Sequence, residues 1–454
     1  MKNSISNSHI ARNTIMSVFA QGISLITSII INLVVPKFID GYQYSYWQTY
    51  ILYSSYVGIL HFGLLDGIVL RFSQYDYDEL SKKEYGFHFY FLVIMLLVEM
   101  IFTFIIANIF VKNSFKEIIF LVAISIVSKN IFTFASYTFQ ISNRITEYVF
   151  LVISQRMFYG LFSVLLLAIG IKDFYFYCIA DIAADIFGFI LNIPSNKELF
   201  VQGLQCSKRL IMEVLSTMKS GIFLMIANFS NNFIVGSAKI AIQNFWPTLI
   251  FGEVSFSFSI TNFFLSFVMA ISVVLFPSIK RMDVAQLPNL YDKIREVLTP
   301  ILFIIMTLYY PGCYILKLWL PKYQNSLIYV GLLLPIIVYS TRVSLLTNNY
   351  LKAYRKEKKM LTLNVVCIIL ELIGIAIICN WIKNIEVILI WTVFITAVKS
   401  IFAELIVSRL IQKDYISDII MEIVVIVLFI IITKKTSGLA AYLIFSFVLL
   451  LYFV

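Results

Sequence analysis

Apolar runs long enough to cross a bilayer, about 17–25 residues, recur along the chain with short polar connections between them. They predict about fourteen membrane-spanning helices, near residues 14–36, 43–71, 87–111, 117–141, 147–170, 173–193, 219–243, 249–278, 296–318, 326–351, 360–381, 385–409, 417–433 and 437–454. The longest connection, SNKELFVQGLQCSKRLIMEVLSTMKS, starts at Ser195 and leaves six spans before it and eight after. The predicted organisation is a six-helix bundle over 1–194, a connection over 195–218, a second six-helix bundle over 219–410 and two further spans over 411–454. The fold class is an all-α polytopic membrane protein.

Composition agrees with that pattern. The chain of 454 residues is 60% hydrophobic and only 13% charged, against about 25% charged in an ordinary soluble domain. A soluble fold cannot hide so much apolar surface. The polar start MKNSISNSHIARN leads into an apolar run with no small-residue cleavage pattern after it, so it is read as a retained first span. Cys178, Cys206, Cys313, Cys367 and Cys379 form no CxxC pair, which argues against a disulfide framework or a zinc site. His9, His61 and His88 show no ligand spacing either, so no metal or cofactor is implied. The net charge of +10 is scattered through loops and does not call for nucleic acid. Lys and Arg fall roughly two to one on the N-terminal side of the spans, which places both termini in the cytoplasm. That side includes Lys2, Arg281 and Arg295, and the opposite side includes Lys112 and Lys239. Trp47, Trp246, Trp319 and Trp381 then fall near the outer face, where interfacial anchors are expected.

The chain repeats itself weakly. FIDGYQYSYWQTYILYSSYVGILHFGLLDGIVLRF at 38–72 is similar to LIFGEVSFSFSITNFFLSFVMAISVVLFPSIKRM at 249–282, with Gly41 on Gly252, an offset of 211. TFQISNR at 138–144 is similar to YLKAYRK at 350–356, an offset of 212. Spans 1–6 and 7–12 therefore read as two copies in one orientation, an arrangement that in secondary transporters puts the site where the halves meet.

Four basic residues lie inside spans: Lys129, Arg156, Arg342 and Lys399. An ion at mid-bilayer costs about 2.5–3.5 kcal/mol on insertion scales, so such groups face a wet cavity or a partner. Arg156, Arg342 and Lys399 sit roughly 10–15 Å from the cytoplasmic end of their spans. Two readings stand. Each base pairs with a buried acid, from Asp66, Glu99, Asp181, Asp185, Glu371 and Glu404. Alternatively, the bases form a cationic wall for an anionic substrate; an arginine fork bonds two phosphate oxygens. Asp181 and Asp185 are one turn apart on one helix face. Two such carboxylates resist double ionisation, so they are candidates for binding a proton or sodium ion, with helix packing as the alternative. His61, five residues before Asp66, shares no face with it on a continuous helix and is read as packing. Pro335, two turns before Arg342, predicts a bend in span 10. There is no nucleophile elbow, metal-ligand cluster or P-loop pattern, and no connection long enough for a catalytic domain; the chain is read as a transporter without enzymatic activity.

Four stretches carry a family resemblance: RNTIMSVFAQGISLITSIII in span 1, GYQYSYWQTY opening span 2, FGEVSFSFSITNFFLSFVMAISVVLFPSIKR through span 8, and NNYLKAYRKEKK leaving span 10. With these the chain resembles, over nearly its whole length, the oligosaccharide flippases of bacterial polysaccharide biosynthesis. These belong to the multidrug/oligosaccharidyl-lipid/polysaccharide exporter superfamily. The resemblance implies two six-helix bundles around a central cavity, alternating access, and location in the bacterial cytoplasmic membrane. The implied substrate is an undecaprenyl-pyrophosphate-linked oligosaccharide moved from the inner to the outer leaflet for O-antigen, capsule or other surface polysaccharide. Lys129, Arg156, Arg342 and Lys399 are the matching candidates for holding pyrophosphate and acidic sugars. Polysaccharide polymerase and chain-length proteins are the implied partners, beside the bilayer and a proton or sodium ion. The rival readings are a multidrug antiporter of the same superfamily and, further off, a membrane polymerase or glycosyltransferase. Four buried bases weigh against the first, and the short outer loops against the second.

Overall fold

The computed structural model describes residues 7–73, 75–111, 114–204, 206–280 and 287–453. Lys2, Lys112 and Arg281, counted above in the charge balance, lie outside them. The described chain is helical, with no strand among the described residues. Among the described residues, twelve helices are long and apolar enough to cross a membrane, and a bent pair, Gly41–His61 with Leu64–Phe72, makes a thirteenth. The last predicted span is the shorter apolar helix Gly438–Phe453. The protein is a multi-pass membrane protein of the expected all-α class.

By packing, the chain forms two compact units, Met1–Phe229 and Ser230–Val454. The first holds α1 (Asn7–Ile29), α2 (Gly41–Ser54), α3 (Leu64–Phe72), α4 (Lys82–Phe110), α5 (Ser114–Ile141), α6 (Ile145–Ala168), α7 (Phe174–Asn192) and the short α8 (Lys197–Gln202). The division falls inside α9 (Lys208–Phe245). The second unit continues with α10 (Thr248–Lys280), α11 (Leu287–Thr307), α12 (Tyr309–Trp319), α13 (Ser326–Leu333), α14 (Pro335–Thr341) and α15 (Asn348–Ala353). It ends with α16 (Glu357–Ile377), α17 (Ile385–Ile411), α18 (Ile416–Lys435) and α19 (Gly438–Phe453).

Polar residues at the span ends start these helices by accepting from free backbone N–H groups. The Asp40 carboxylate takes Tyr42 N at 2.9 Å, Asp173 takes Tyr175 N at 3.0 Å, and Asn384 Oδ1 takes Glu386 N at 2.8 Å. Span 2 breaks between α2 and α3. Phe62 (φ 46°) and Gly63 (φ 80°) both lie in the left-handed region, and the two halves meet at 56°. Such a break leaves N–H and C=O groups without helical partners, so it must be seated in protein. Its seat is α9. A Cβ on Gly67 would lie 2.0 Å from the Thr217 carbonyl oxygen, and one on Gly221 would lie 2.1 Å from the Gly63 oxygen. Small residues here let two backbones touch, which is how helices associate in lipid. Residues 195–229 consequently pack with the first unit.

Gly67→Ala is expected to cost at least about 1–3 kcal/mol, because the clash is with rigid backbone. Gly312→Ala, inside α12 with nothing within 4 Å of the added Cβ, is the matched control. Detergent-extracted Gly67→Ala protein should melt well below both wild type and Gly312→Ala. Equal melting would mean that this contact is not close in the protein.

Three loop or interface assignments change. Lys239, inside the predicted span 219–243 yet counted with the outer-side loops, is a residue of α9, which runs to Phe245, and its Nζ lies 5.8 Å from the Phe258 ring centre. α11 begins at Leu287, so Arg295 is also a helix residue and is buried. Trp47 is fully buried against Tyr44 and Tyr177, with ring centres 6.1 and 5.4 Å away, and anchors no lipid interface.

Candidate functional site

A cavity of about 390 Å³ opens inside the first unit. It forms where regular helix fails on two sides. The continuation of α1 passes through a π-helical turn, Ile30–Val34, and α2 ends at Ser54 before the break in span 2. Ser28, Asn32, Ser54 and Ser55 face the cavity from there. Asn130 braces the break by donating to the Val57 carbonyl at 3.1 Å. Thr27 ties α1 to α6 by donating to the Arg156 carbonyl at 3.2 Å.

Two of the four expected bases line this cavity, Lys129 from α5 and Arg156 from α6, together with Asp181 from α7. The Lys129 ammonium donates to Asp181 Oδ2 at 2.7 Å and lies 3.5 Å from Asp185 Oδ2. Tyr50 donates to the same Asp181 oxygen at 3.0 Å. Asp185 is set behind the cavity, its side chain 5% exposed. Gln155 Nε2 donates to its Oδ1 at 3.0 Å and the Ser128 hydroxyl to its Oδ2 at 3.5 Å. The two acids thus share a lysine but differ in setting: Asp181 borders the open space and Asp185 is enclosed. Arg156 is exposed and in no ion pair among the described residues. Of the charged groups lining the cavity, it is the cation left without a counter-ion.

Arg342, expected to line a wet cavity, is placed otherwise. Its side chain is 3% exposed, and its Nη1 donates to Glu404 Oε2 at 3.2 Å and to Glu422 Oε2. Nη2 donates to Thr299 Oγ1 at 3.3 Å. Arg295 completes a ring, donating from Nε to Glu404 Oε1 at 2.8 Å and from Nη2 to Glu422 Oε1 at 2.9 Å. Each glutamate therefore gives one oxygen to each arginine. Arg295 Nη1 also donates to Asp418 at 2.8 Å, and Tyr291 donates to Glu404 at 3.3 Å. Four buried ions with balanced charge tie α11, the π-turn Arg342–Thr347, α17 and α18 together. The pairing with Glu404 follows the buried-acid reading; Arg295, Glu422 and Asp418 were missed. The signal available was Glu422 inside the apolar run ISDIIMEIVVIV, an intramembrane acid that needs a partner.

The remaining residues fall apart from both clusters. Lys399 is buried on α17. Glu371 is buried on α16, where the Thr392 hydroxyl donates to Oε1 at 2.7 Å. Glu99 is half-buried on α4, and its carboxylate oxygens have no hydrogen-bond partner among the described residues. Neither glutamate joins an ion pair among the described residues. Asp66 accepts from Asn228 Nδ2 at 3.0 Å and lies 3.5 Å from His61 Nε2. The expectation that His61 and Asp66 stand apart assumed a continuous helix. The break turns His61 onto Asp66, and the Gly63 N–H donates to His61 Nδ1 at 3.1 Å.

No family model matches the sequence, and no curated protein matches it. Solved structures do. An inward-facing multidrug resistance MATE family transporter of the MOP superfamily is 11% identical and has a TM-score of 0.64, covering 87% of this chain and 98% of its own. The lipid II flippase MurJ, in an inward closed conformation, is 13% identical with a TM-score of 0.64, covering 96% of this chain and 98% of its own. The fold is that of the MOP transporters. A mutant of the Vibrio cholerae MATE transporter VcmN shares the MOP fold at 12% identity and a TM-score of 0.54, covering 88% of this chain and 95% of its own. The likeness to these three is one of fold, at 11–13% sequence identity.

Proposed function

We propose that this chain is a flippase that moves an undecaprenyl-pyrophosphate-linked oligosaccharide from the inner to the outer leaflet of the bacterial cytoplasmic membrane by alternating access. The observation that carries the reading is the cavity of the first unit, where an arginine without an ion pair stands beside a lysine. A diphosphate needs cations that are not already neutralised, and Arg156 meets that need directly. Lys129 is the second contact. The likeness in fold to a lipid II flippase supports a lipid-linked substrate. The many serines and asparagines of the lining suit sugar hydroxyls. Arg342 is assigned to holding α18 in place.

The same reading takes 1–194 and 219–410 as two copies of one six-helix unit, with both termini in the cytoplasm. Export for polysaccharide assembly places a polymerase and chain-length proteins downstream. Asp181 and Asp185 are its candidates for binding a coupling proton or sodium ion.

Deleting the gene from its host should abolish surface polysaccharide while lipid-linked repeat units accumulate on the cytoplasmic side; re-expression should restore export. The second reading is a multidrug antiporter, favoured by Asp181, a carboxylate facing the cavity that suits a cationic drug. It forecasts unchanged polysaccharide and greater sensitivity to lipophilic cations in the deletion strain.

A further inference from the structure

We propose that the turn between α17 and α18 holds the headgroup of a zwitterionic phospholipid, one that carries both a phosphate and a primary ammonium, as phosphatidylethanolamine does. The site belongs to the second unit and shares no residue with the cavity of the first. A cleft of about 380 Å³ opens at the turn. Leu405, Arg409 and Gln412 line it from the end of α17, and Asp414 and Ile416 from the approach to α18.

The turn is fixed in shape. Gln412 takes a left-handed conformation (φ 56°), the Lys413 N–H donates to the Ser408 carbonyl at 3.1 Å, and the Ser408 hydroxyl donates to the Lys413 carbonyl. Lys413 also lines the cleft, but its ammonium is engaged with Asp292 on α11, to which Tyr415 donates as well. Two charges are left for the cleft. Arg409 is exposed and joins no ion pair among the described residues. Asp414 is exposed too; its Oδ1 accepts from Ile416 N at 2.9 Å, and it joins no ion pair among the described residues. A base and an acid thus line one cleft without neutralising each other. A ligand of both signs satisfies both. Its phosphate takes the two-pronged arginine contact, and its ammonium donates to Asp414 Oδ2. A plain anion would be repelled by Asp414, and a plain cation by Arg409.

The surroundings continue the shape of a lipid. Phe402, Leu405 and Arg409 follow at three- and four-residue steps and so lie along one face of α17. Ile416, Ile420 and Val424 do the same on α18, and these three and Phe402 are exposed. Two apolar tracks therefore run from the cleft along the spans, where a pair of acyl chains can lie. A free phosphate or a small zwitterion has no use for these tracks, so the headgroup of a lipid is the occupant.

The test uses the purified full chain, stripped of lipid in detergent and titrated with phosphatidylethanolamine, phosphatidylcholine or phosphatidylglycerol, the bound lipid being counted by native mass spectrometry. The choline ammonium has no N–H to donate, and the glycerol headgroup has no ammonium. The first phosphatidylethanolamine should bind up to about fivefold more tightly than either of the others, the reach of one exposed charge pair. Asp414→Asn should bring it down to the phosphatidylcholine level, although an asparagine oxygen can still accept from Ile416 N. Arg409→Gln should weaken phosphatidylethanolamine and phosphatidylcholine alike. Equal or reversed affinities in the wild type, or a preference that survives Asp414→Asn, would overturn the ammonium contact. Binding indifferent to Arg409→Gln would overturn the phosphate contact. Displacement of the lipid by millimolar inorganic phosphate would overturn the lipid as occupant.

Discussion

Arg342→Met should yield almost no folded protein, and adding Glu422→Gln should bring much of it back. In the wild type two arginines and two glutamates are buried as a closed ring, each carboxylate oxygen bonded. Removing one arginine leaves a carboxylate charge uncompensated away from water, a loss of about 3–5 kcal/mol. A domain is stable by about 5–15 kcal/mol in total, so the loss takes up a large share of the whole. Glu422→Gln removes the surplus charge while keeping the volume, and Arg295 still holds Glu404. The effect should appear as membrane yield and monodisperse elution. A contact with substrate alone makes the opposite forecast: Arg342→Met at normal yield, with export lost. That result would return Arg342 to the substrate site.

Arg156→Gln should do what Arg342→Met does not: leave the protein folded and remove its activity. The guanidinium is exposed in the cavity and joins no ion pair among the described residues, so its loss strands no buried charge. A hydrogen bond to a charged group is worth about 1.5–3 kcal/mol, which corresponds to roughly 10–100-fold in affinity for the diphosphate. Arg156→Lys should recover part of it, because an ammonium supplies the charge without the two-pronged contact. Normal yield with normal binding in Arg156→Gln would remove this residue from the site.

The spans could be read from the sequence because lipid demands the same thing of every helix that crosses it, a long uncharged run. What the runs hide is where a helix continues past them or stops within them. α11 takes up nine polar and apolar residues before its apolar run begins, which brought Arg295 into a buried ring although its position reads as a loop. The break at Phe62 and Gly63 lies inside the predicted span 43–71, and nothing in HFGLLD announces a left-handed phenylalanine. Every consequence of that break, the His61 contact with Asp66 and the seat on α9, was therefore out of reach. The candidate site was legible in part. Intramembrane charge alone singled out Lys129, Arg156, Asp181 and Asp185, and the fold brings these four together. Charge could not say which bases were already satisfied, because that depends on Glu422, Thr299 and Gln155 arriving from other helices.

The central claim is that this chain moves a lipid-linked diphosphate across a bilayer and needs Arg156 to do so. Its most direct measurement is flipping in proteoliposomes: purified wild type or Arg156→Gln is reconstituted with an undecaprenyl-diphosphate-linked oligosaccharide whose sugar can be labelled only in the outer leaflet. Wild type should expose the inner-leaflet pool to the label, and Arg156→Gln should leave it protected as in protein-free vesicles. Protection of that pool with wild type, or equal exposure by both proteins, would contradict the account.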